Sequence, residues 1–512
     1  MLLKFVIFII SLQFYQLSAQ EIIDSNQSIN EVEAICIYDF MPPNNEYSCF
    51  LSWINVTSPN QILRIVGNHL PDRTDADVIA VYPGTHYRLD FFNGEVFQKF
   101  PNLQILRLGT LRGVAPNAFD LCFQLQDIQV SVILETLPNG IFKNCRNLRT
   151  FNIQGWQISS LPAELFGTIQ SLESFTISRT DLMTLPSTIF QHSVNLNFIS
   201  LSYNQFESLD STLFSNLRNL VTIRLNFNRI SHQNIVTNLL NGQRNLRNIE
   251  LYNSGIPSID FNFFSQFLML DYLNVRTNQS LTNIAWNTLP ESLRRLEISN
   301  IGESIPENAF QNLPHLTNLG LYGFGIGNFH QNTFRNLPNL RILNLIECGI
   351  TELHPELFSS LTQLRHLGLS SNQIQELPAG VFANLTNLGD NNVNHLSLNN
   401  NLIRRLNRNA FGVHPNLHQI SLDFNEIYEI ERGIFSQSFP NLQTLFIARN
   451  KCVHDIITGN FDESPELEYC FANWAGETTS TTTTTTDGGN HLKIDLILLF
   501  ILFVIVFIGN FK

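Results

Sequence analysis

The sequence predicts an α/β solenoid of stacked turns whose short strands form a parallel β-sheet. Three observations predict it: a Leu-x-Leu pair that returns at a nearly fixed interval, an Asn shortly after it, and a Phe further along each turn. At 512 residues the chain exceeds what one core holds, since cores stop growing at roughly 250 to 300 residues. A repeat array escapes that limit because each turn buries its apolar face against the next.

The first residue of the central pair falls at 106, 128, 151, 175, 199, 223, 249, 273, 296, 319, 343, 367, 396, 420 and 445. Thirteen of the fourteen steps are 22 to 26 residues, and only the step from Leu367 to Leu396 stretches to 29. The pair alternates as a strand does, with two residues inward and their neighbours outward, so successive pairs stack about 4.8 Å apart. Five residues after the anchor stands Asn at 204, 228, 278, 372, 401, 425 and 450, replaced by Thr180, Ser254 or Cys348 in other turns. A buried amide there satisfies backbone groups of its own and neighbouring turns, which would be costly to leave unpaired. Near Leu111, Ile133, Trp156, Ile301 and Phe324 an apolar residue takes that position, which predicts an interrupted polar ladder.

Phe recurs at 119, 142, 166, 190, 214, 264, 310, 334, 358, 382, 411 and 435, which accounts for many of the 41 Phe residues as an interior stack of rings. Leu-Pro pairs at Leu137, Leu161, Leu185 and Leu377 stop helix on the return path, because Pro lacks a donor.

The resulting pattern, L-x-x-L-x-L-x-x-N-x-I-x-x-L-P-x-x-x-F, resembles the typical 24-residue extracellular subtype of leucine-rich repeat over residues 80–450, about 15 to 16 repeats. The resemblance implies a protein-binding horseshoe, with the parallel β-sheet on its concave side and irregular or short-helical chain on its convex side. "YSC" at Tyr47 to Cys49, with Ile65 to Val78, resembles the amino-terminal module of secreted insect leucine-rich repeat proteins.

Cysteine supplies the end caps that a solenoid needs. Cys36 and Cys49 bracket two strand-like runs around Pro42-Pro43-Asn44-Asn45, which predicts a hairpin disulfide within a cap of residues 20–79. Cys452 and Cys470 close the other end in a cap of residues 451–475. Both caps are leaner than the four-cysteine caps common in the family. Cys122 and Cys145 share an apolar column and are either stacked thiols or an inter-turn bridge; Cys348 reads as a core thiol.

Lys4 precedes an apolar run, Phe5 to Leu12, and Ala19 offers a small residue, so residues 1–19 read as a signal peptide. Sequons at Asn26, Asn55 and Asn384 are expected glycosylation sites; Asn278, also a sequon, is expected to stay unmodified because it falls on the ladder. Residues 476–487 are a Thr-rich stalk, and 488–512 carry thirteen apolar residues in a row, Leu496 to Ile508. As a helix these span roughly 20 Å against a bilayer core of about 30 Å. Asp487 and Gly488 suit lipid attachment, so this tail reads either as a glycosylphosphatidylinositol signal or as a short transmembrane segment. Either way the chain is expected on the extracellular face of the plasma membrane, without a signalling domain of its own.

A net charge of -13 and the lack of a basic run argue against nucleic acid. No H-E-x-x-H or C-x-x-C occurs, and "GFGIG" at Gly323 to Gly327 lacks the Lys and helix of a phosphate loop. No enzyme, cofactor or metal is expected. Most outward strand residues are Ser, Thr, Asn, Gln or Gly, but one block differs: Arg224; Glu250 and Tyr252; Tyr272, Asn274 and Arg276; Arg295 and Glu297; Tyr322. Tyr and Arg most often anchor protein interfaces, so this block is the expected patch for a protein ligand or another cell-surface protein, with the chain as a co-receptor or adhesion molecule. The layout is similar to that of insect neural adhesion proteins built as repeats on a lipid anchor. A freely secreted immune or protease-partner scaffold is the alternative.

Overall fold

The computed structural model describes residues 31–472 except 232–234, 258, 278, 282, 283, 303, 390–395, 455 and 460. The expected signal peptide, Asn26, Asn278, most of the stretch inserted before Leu396, the Thr-rich tract, Asp487, Gly488 and the apolar tail lie outside the described residues.

Each Leu-x-Leu pair forms a short strand that pairs in parallel with those of the turns before and after it, as in Phe151↔Phe175, Leu273↔Leu296 and Leu343↔Leu367. Together with the caps they make one 20-stranded sheet among the described residues. Helix is confined to short pieces such as Glu95–Lys99, Ile235–Leu240 and Ile434–Ser438 on the return path.

The Phe column is interior: Phe310, Phe334, Phe358 and Phe382 are fully buried and follow one another at centroid distances of 6.1, 6.2 and 6.2 Å. Trp286 fills the column where the pattern lacks Phe, 5.2 Å from Phe310.

The buried Asn residues tie turns together. Asn401 Nδ2 donates to Leu398 O of its own turn at 3.1 Å and to Leu369 O of the preceding turn at 2.9 Å, while its Oδ1 accepts from Ile374 N–H at 3.1 Å. Asn204, Asn228, Asn372, Asn425 and Asn450 repeat this arrangement. Where the amide is replaced, Thr180 bonds to Asn204, Ser254 Oγ donates to Leu251 O, and the Cys348 thiol reaches Leu321 O.

The turns at 106, 128 and 151 are built differently. Their strands, Ile105–Leu111, Asp127–Ile133 and Thr150–Trp156, run seven residues, against two to five in the later turns. Longer strands carry the alternation further, which corrects part of the sequence expectation. Leu111 and Ile301 do point inward, but Trp156 and Phe324 turn outward at 66% and 61% exposure, and Ile133 is half-exposed. Ile158 and Ile326, seven residues after their anchors like Ile350 and Ile374, stay buried as in the other turns.

At the amino end the hairpin Glu31–Met41 and Glu46–Ser52 is joined by Cys36–Cys49 and continues the solenoid sheet through Ala80–Pro83. Segment 67–77 folds over it. Tyr47 Oη accepts from Leu70 N–H and donates to His69 Nδ1, and His69 Nε2 donates to Asp75, which also holds Lys99. At the far end Ile456–Thr458 pairs antiparallel with Thr444–Phe446 beside Cys452–Cys470. Cys122 and Cys145 are bridged between adjacent turns, and Cys348 is a buried free thiol. Three disulfides mark a chain folded in an oxidising compartment.

Candidate functional site

The outward positions of five consecutive strands bring the nine block residues into one connected layer. Thr222–Arg224, Asn248–Glu250, Tyr272–Val275, Arg295–Ser299 and Asn318–Tyr322 lie side by side, so Arg224 stands opposite Glu250, Tyr272 opposite Arg295 and Asn274 opposite Glu297. Arg224 Nε donates to Glu250 at 2.8 Å, and Asn226 Nδ2 donates to the other oxygen of that carboxylate at 2.9 Å. Glu297 is the hub of the next turns: it accepts from Tyr272 Oη at 3.1 Å, Asn274 Nδ2 at 3.2 Å and Arg276 Nη1 at 3.2 Å.

Aromatic faces complete the layer. The Arg276 guanidinium sits between the rings of Tyr252 and Tyr322, 4.3 and 4.1 Å from their centroids, and Arg295 lies 4.6 Å over Tyr272. Tyr322 can lie flat only because the next inward-to-outward neighbour is Gly320, where a Cβ would meet the ring at 2.7 Å. Burial holds the Tyr272 phenol up at about 12, with Asn274 opposing and the carboxylates of Glu297 and Glu250 adding to the rise. Burial likewise raises Tyr322. Both phenols are therefore neutral at physiological pH, and Tyr272 donates to Glu297.

Sequence reasoning missed the row that borders this layer. The residue that ends each strand turn adopts a left-handed backbone: Arg179, Tyr203, Phe227, Asn253, Asn300, Glu347, Ser371, Asn400, Phe424 and Arg449 all have φ between 48° and 61°. Such φ values are uncommon outside Gly, so large aromatic residues there go against propensity. Tyr203 and Phe227 stack at 4.4 Å and Phe227 meets Tyr252 edge-on at 4.8 Å, so these two left-handed residues extend the block residues Tyr252, Arg276 and Tyr322 into a continuous row. Asp271, which pairs with Arg294 and Arg295 at 3.4 Å, also belongs to the layer.

Asn55 and Asn384 are exposed, away from the buried ladder. Among the described residues no group of three or more His, Cys, Asp or Glu is placed to hold a metal ion, and no helix is long and apolar enough to cross a membrane.

Comparison with known proteins agrees with the architecture. The model of the BspA type leucine-rich repeat region matches in six copies over residues 91–221, 159–288 and 279–395. A solved leucine-rich repeat protein of Leptospira interrogans is 25% identical, with a TM-score of 0.53, over 69% of this chain and 86% of that one. A chain in the Toll and Spatzle complex of Drosophila is 17% identical, with a TM-score of 0.51, over 79% of this chain and 64% of that one; this second likeness speaks to fold alone. No curated protein matches the sequence.

Proposed function

Since the chain belongs to the BspA-type leucine-rich repeat family, a fold that serves as a scaffold for binding, we propose that it is an extracellular recognition protein whose concave face takes a protein ligand or another cell-surface protein. The observation that carries this reading is the layer from Arg224 to Tyr322. It crosses five strands as one hydrogen-bonded and cation–π network, so its Tyr and Arg side chains are held in place before a partner arrives. Preorganised side chains lose little entropy on association, and Tyr and Arg carry most interface energy where they occur.

The finer parts of the proposal rest on the sequence. The repeat consensus favours the 24-residue extracellular subtype and an insect-like adhesion layout, with the leader, caps, Thr-rich stalk and lipid-anchored tail bounded as above. The reading assigns no catalytic step to the chain. Release from cells by a phosphatidylinositol-specific phospholipase tests the anchor and separates it from a free or membrane-spanning form.

The patch is tested by replacing Tyr252, Tyr272 and Arg276 together with Ala in the full chain. Secretion is expected to persist while binding of the purified ectodomain to cells falls at least about a hundredfold. Unchanged binding would remove the layer from the interface.

A further inference from the structure

The row that borders the layer has two unlike halves. From Phe227 to Tyr322 each group is covered by the next, and the arginines of the concave face already hold carboxylates of this chain: Arg107 with Asp127, Arg224 with Glu250, Arg276 with Glu297 and Arg295 with Asp271. Before Phe227 the row is open.

Tyr203 is 53% exposed and stacks on Phe227 with an interplanar angle of 16°, so its opposite face looks back along the row toward the turn of Arg179. Arg179 is exposed and makes no ion pair among the described residues. Its place is nevertheless fixed: its N–H donates to Tyr203 O at 2.6 Å, and the buried Thr180 bonds to Asn204 through both its N–H and its hydroxyl. One turn earlier, Trp156 ends its long strand two residues beyond Gln154, which pairs in register with Ser178. Trp156 and Tyr203 therefore stand two turns apart, about 10 Å, with Arg179 between them. The strand residues beneath, Asn152, Gln154, Thr176, Ser178, Ser200 and Ser202, carry no charge.

We propose that Trp156, Arg179 and Tyr203 form a docking subsite for a protein loop that presents a carboxylate between apolar side chains. This rests on the reading of the concave face as a protein-binding surface and names the chemistry of the partner. A guanidinium that makes no ion pair among the described residues, held over a neutral floor, gains most from an incoming Asp or Glu, and the two flanking rings supply apolar contact area. Trp, Arg and Tyr are the residue types in which interface energy concentrates. The closed half of the row backs Tyr203 and sets the direction of its open face.

The test is selection of a random displayed-peptide library on the purified full chain. The expected peptides share an Asp or Glu beside an aromatic or aliphatic residue. Their binding falls at least about tenfold on Arg179→Gln, on Trp156→Ala, or on changing the peptide acid to its amide, and is retained in Arg179→Lys. It also survives the triple Ala replacement of Tyr252, Tyr272 and Arg276, so failure here and failure of the layer as an interface are separate outcomes. Peptides without an acid, peptides indifferent to Arg179→Gln, or an empty selection overturn the subsite. Binding of heparin or sialylated oligosaccharides that depends on Arg179, with no peptide selected, overturns a protein as its occupant.

Discussion

The three turns at 106, 128 and 151 and the three at 396, 420 and 445 stack with the same parallel geometry but hold their register by different means. The first set has seven-residue strands, so neighbouring turns share a long run of backbone hydrogen bonds, and a disulfide, Cys122–Cys145, joins two of them. The second set has strands of two or three residues, and its Asn401, Asn425 and Asn450 each bond back to the turn before. A parallel ladder can end early only if something else satisfies the freed carbonyls, and a buried amide does so. The change from one mode to the other occurs at Thr180 and Asn204. Trp156, Arg179 and Tyr203 stand beside that change, because a strand that overruns by two residues and a left-handed turn both push side chains outward.

The largest effect is expected from Asn401→Ala. It orphans Ile374 N–H in the interior and removes one of two amide donors from Leu369 O and Leu398 O, which keep Asn372 and Asn425; the loss is about 4 kcal/mol, from roughly 1 to 3 kcal/mol for the orphaned group and about 1 kcal/mol for each of the other two bonds. Hydrogen exchange is expected to show the last turns opening while the first three stay protected.

Removing the inter-turn bridge with Cys122→Ser and Cys145→Ser is expected to cost about 3 kcal/mol, from the entropy returned to the unfolded loop. The protection lost should lie in the first turns, the reverse of the Asn401 result. Limited proteolysis of the two variants reads the difference.

Acid provides a third, smaller contrast. His414 is fully buried, with ring nitrogens facing Leu385 O at 3.1 Å and Phe411 O at 2.7 Å, and burial lowers its pKa below the ordinary His value despite those two contacts. A folded-state pKa below the unfolded one means stability that is present above the ordinary His pKa and lost as pH falls. The unfolding midpoint of the wild type should drop by a few degrees more between neutral and mildly acidic pH than that of His414→Gln, by calorimetry.

The smallest effect is expected from an outer ladder. Exposed Asn residues in the turns before the strands, such as Asn147, Asn195, Asn219 and Asn339, also donate to carbonyls of the preceding turn, at 2.9, 3.0, 3.1 and 2.9 Å. Water can replace them, so Asn339→Ala should cost under about 1 kcal/mol in denaturant melts.

The interior of this molecule is legible in its sequence because buried positions allow few residue types. The Leu-x-Leu pair, Asn372 and its counterparts, and the Phe column each have one physical task, and spacing reveals it. The caps were legible through Cys36, Cys49, Cys452 and Cys470 for the same reason. The surface was less so. The block from Arg224 to Tyr322 is visible as composition, yet its internal pairing is not, because that depends on which side chains lie flat across Gly320 and which stack. Tyr203, Phe227 and Arg179 escaped notice because propensity does not place aromatic or long charged residues at positive φ. Trp156 and Phe324 were misplaced because a fixed offset from the anchor ignores strands and turns of unequal length. The outer Asn residues were readable, since Asn precedes many of the strands at one offset, but exposed Asn is common enough in turns to hide the pattern.

The central claim is that recognition occurs on the concave face along the row of left-handed turns. It is tested most directly by placing a photo-crosslinking residue at Tyr203 in one preparation of the full chain and at Glu356, exposed on the return path, in another, then illuminating each on living cells. A defined protein adduct from position 203 and none from position 356 is the predicted result. Equal adducts from both, or adducts from position 356 alone, would contradict it.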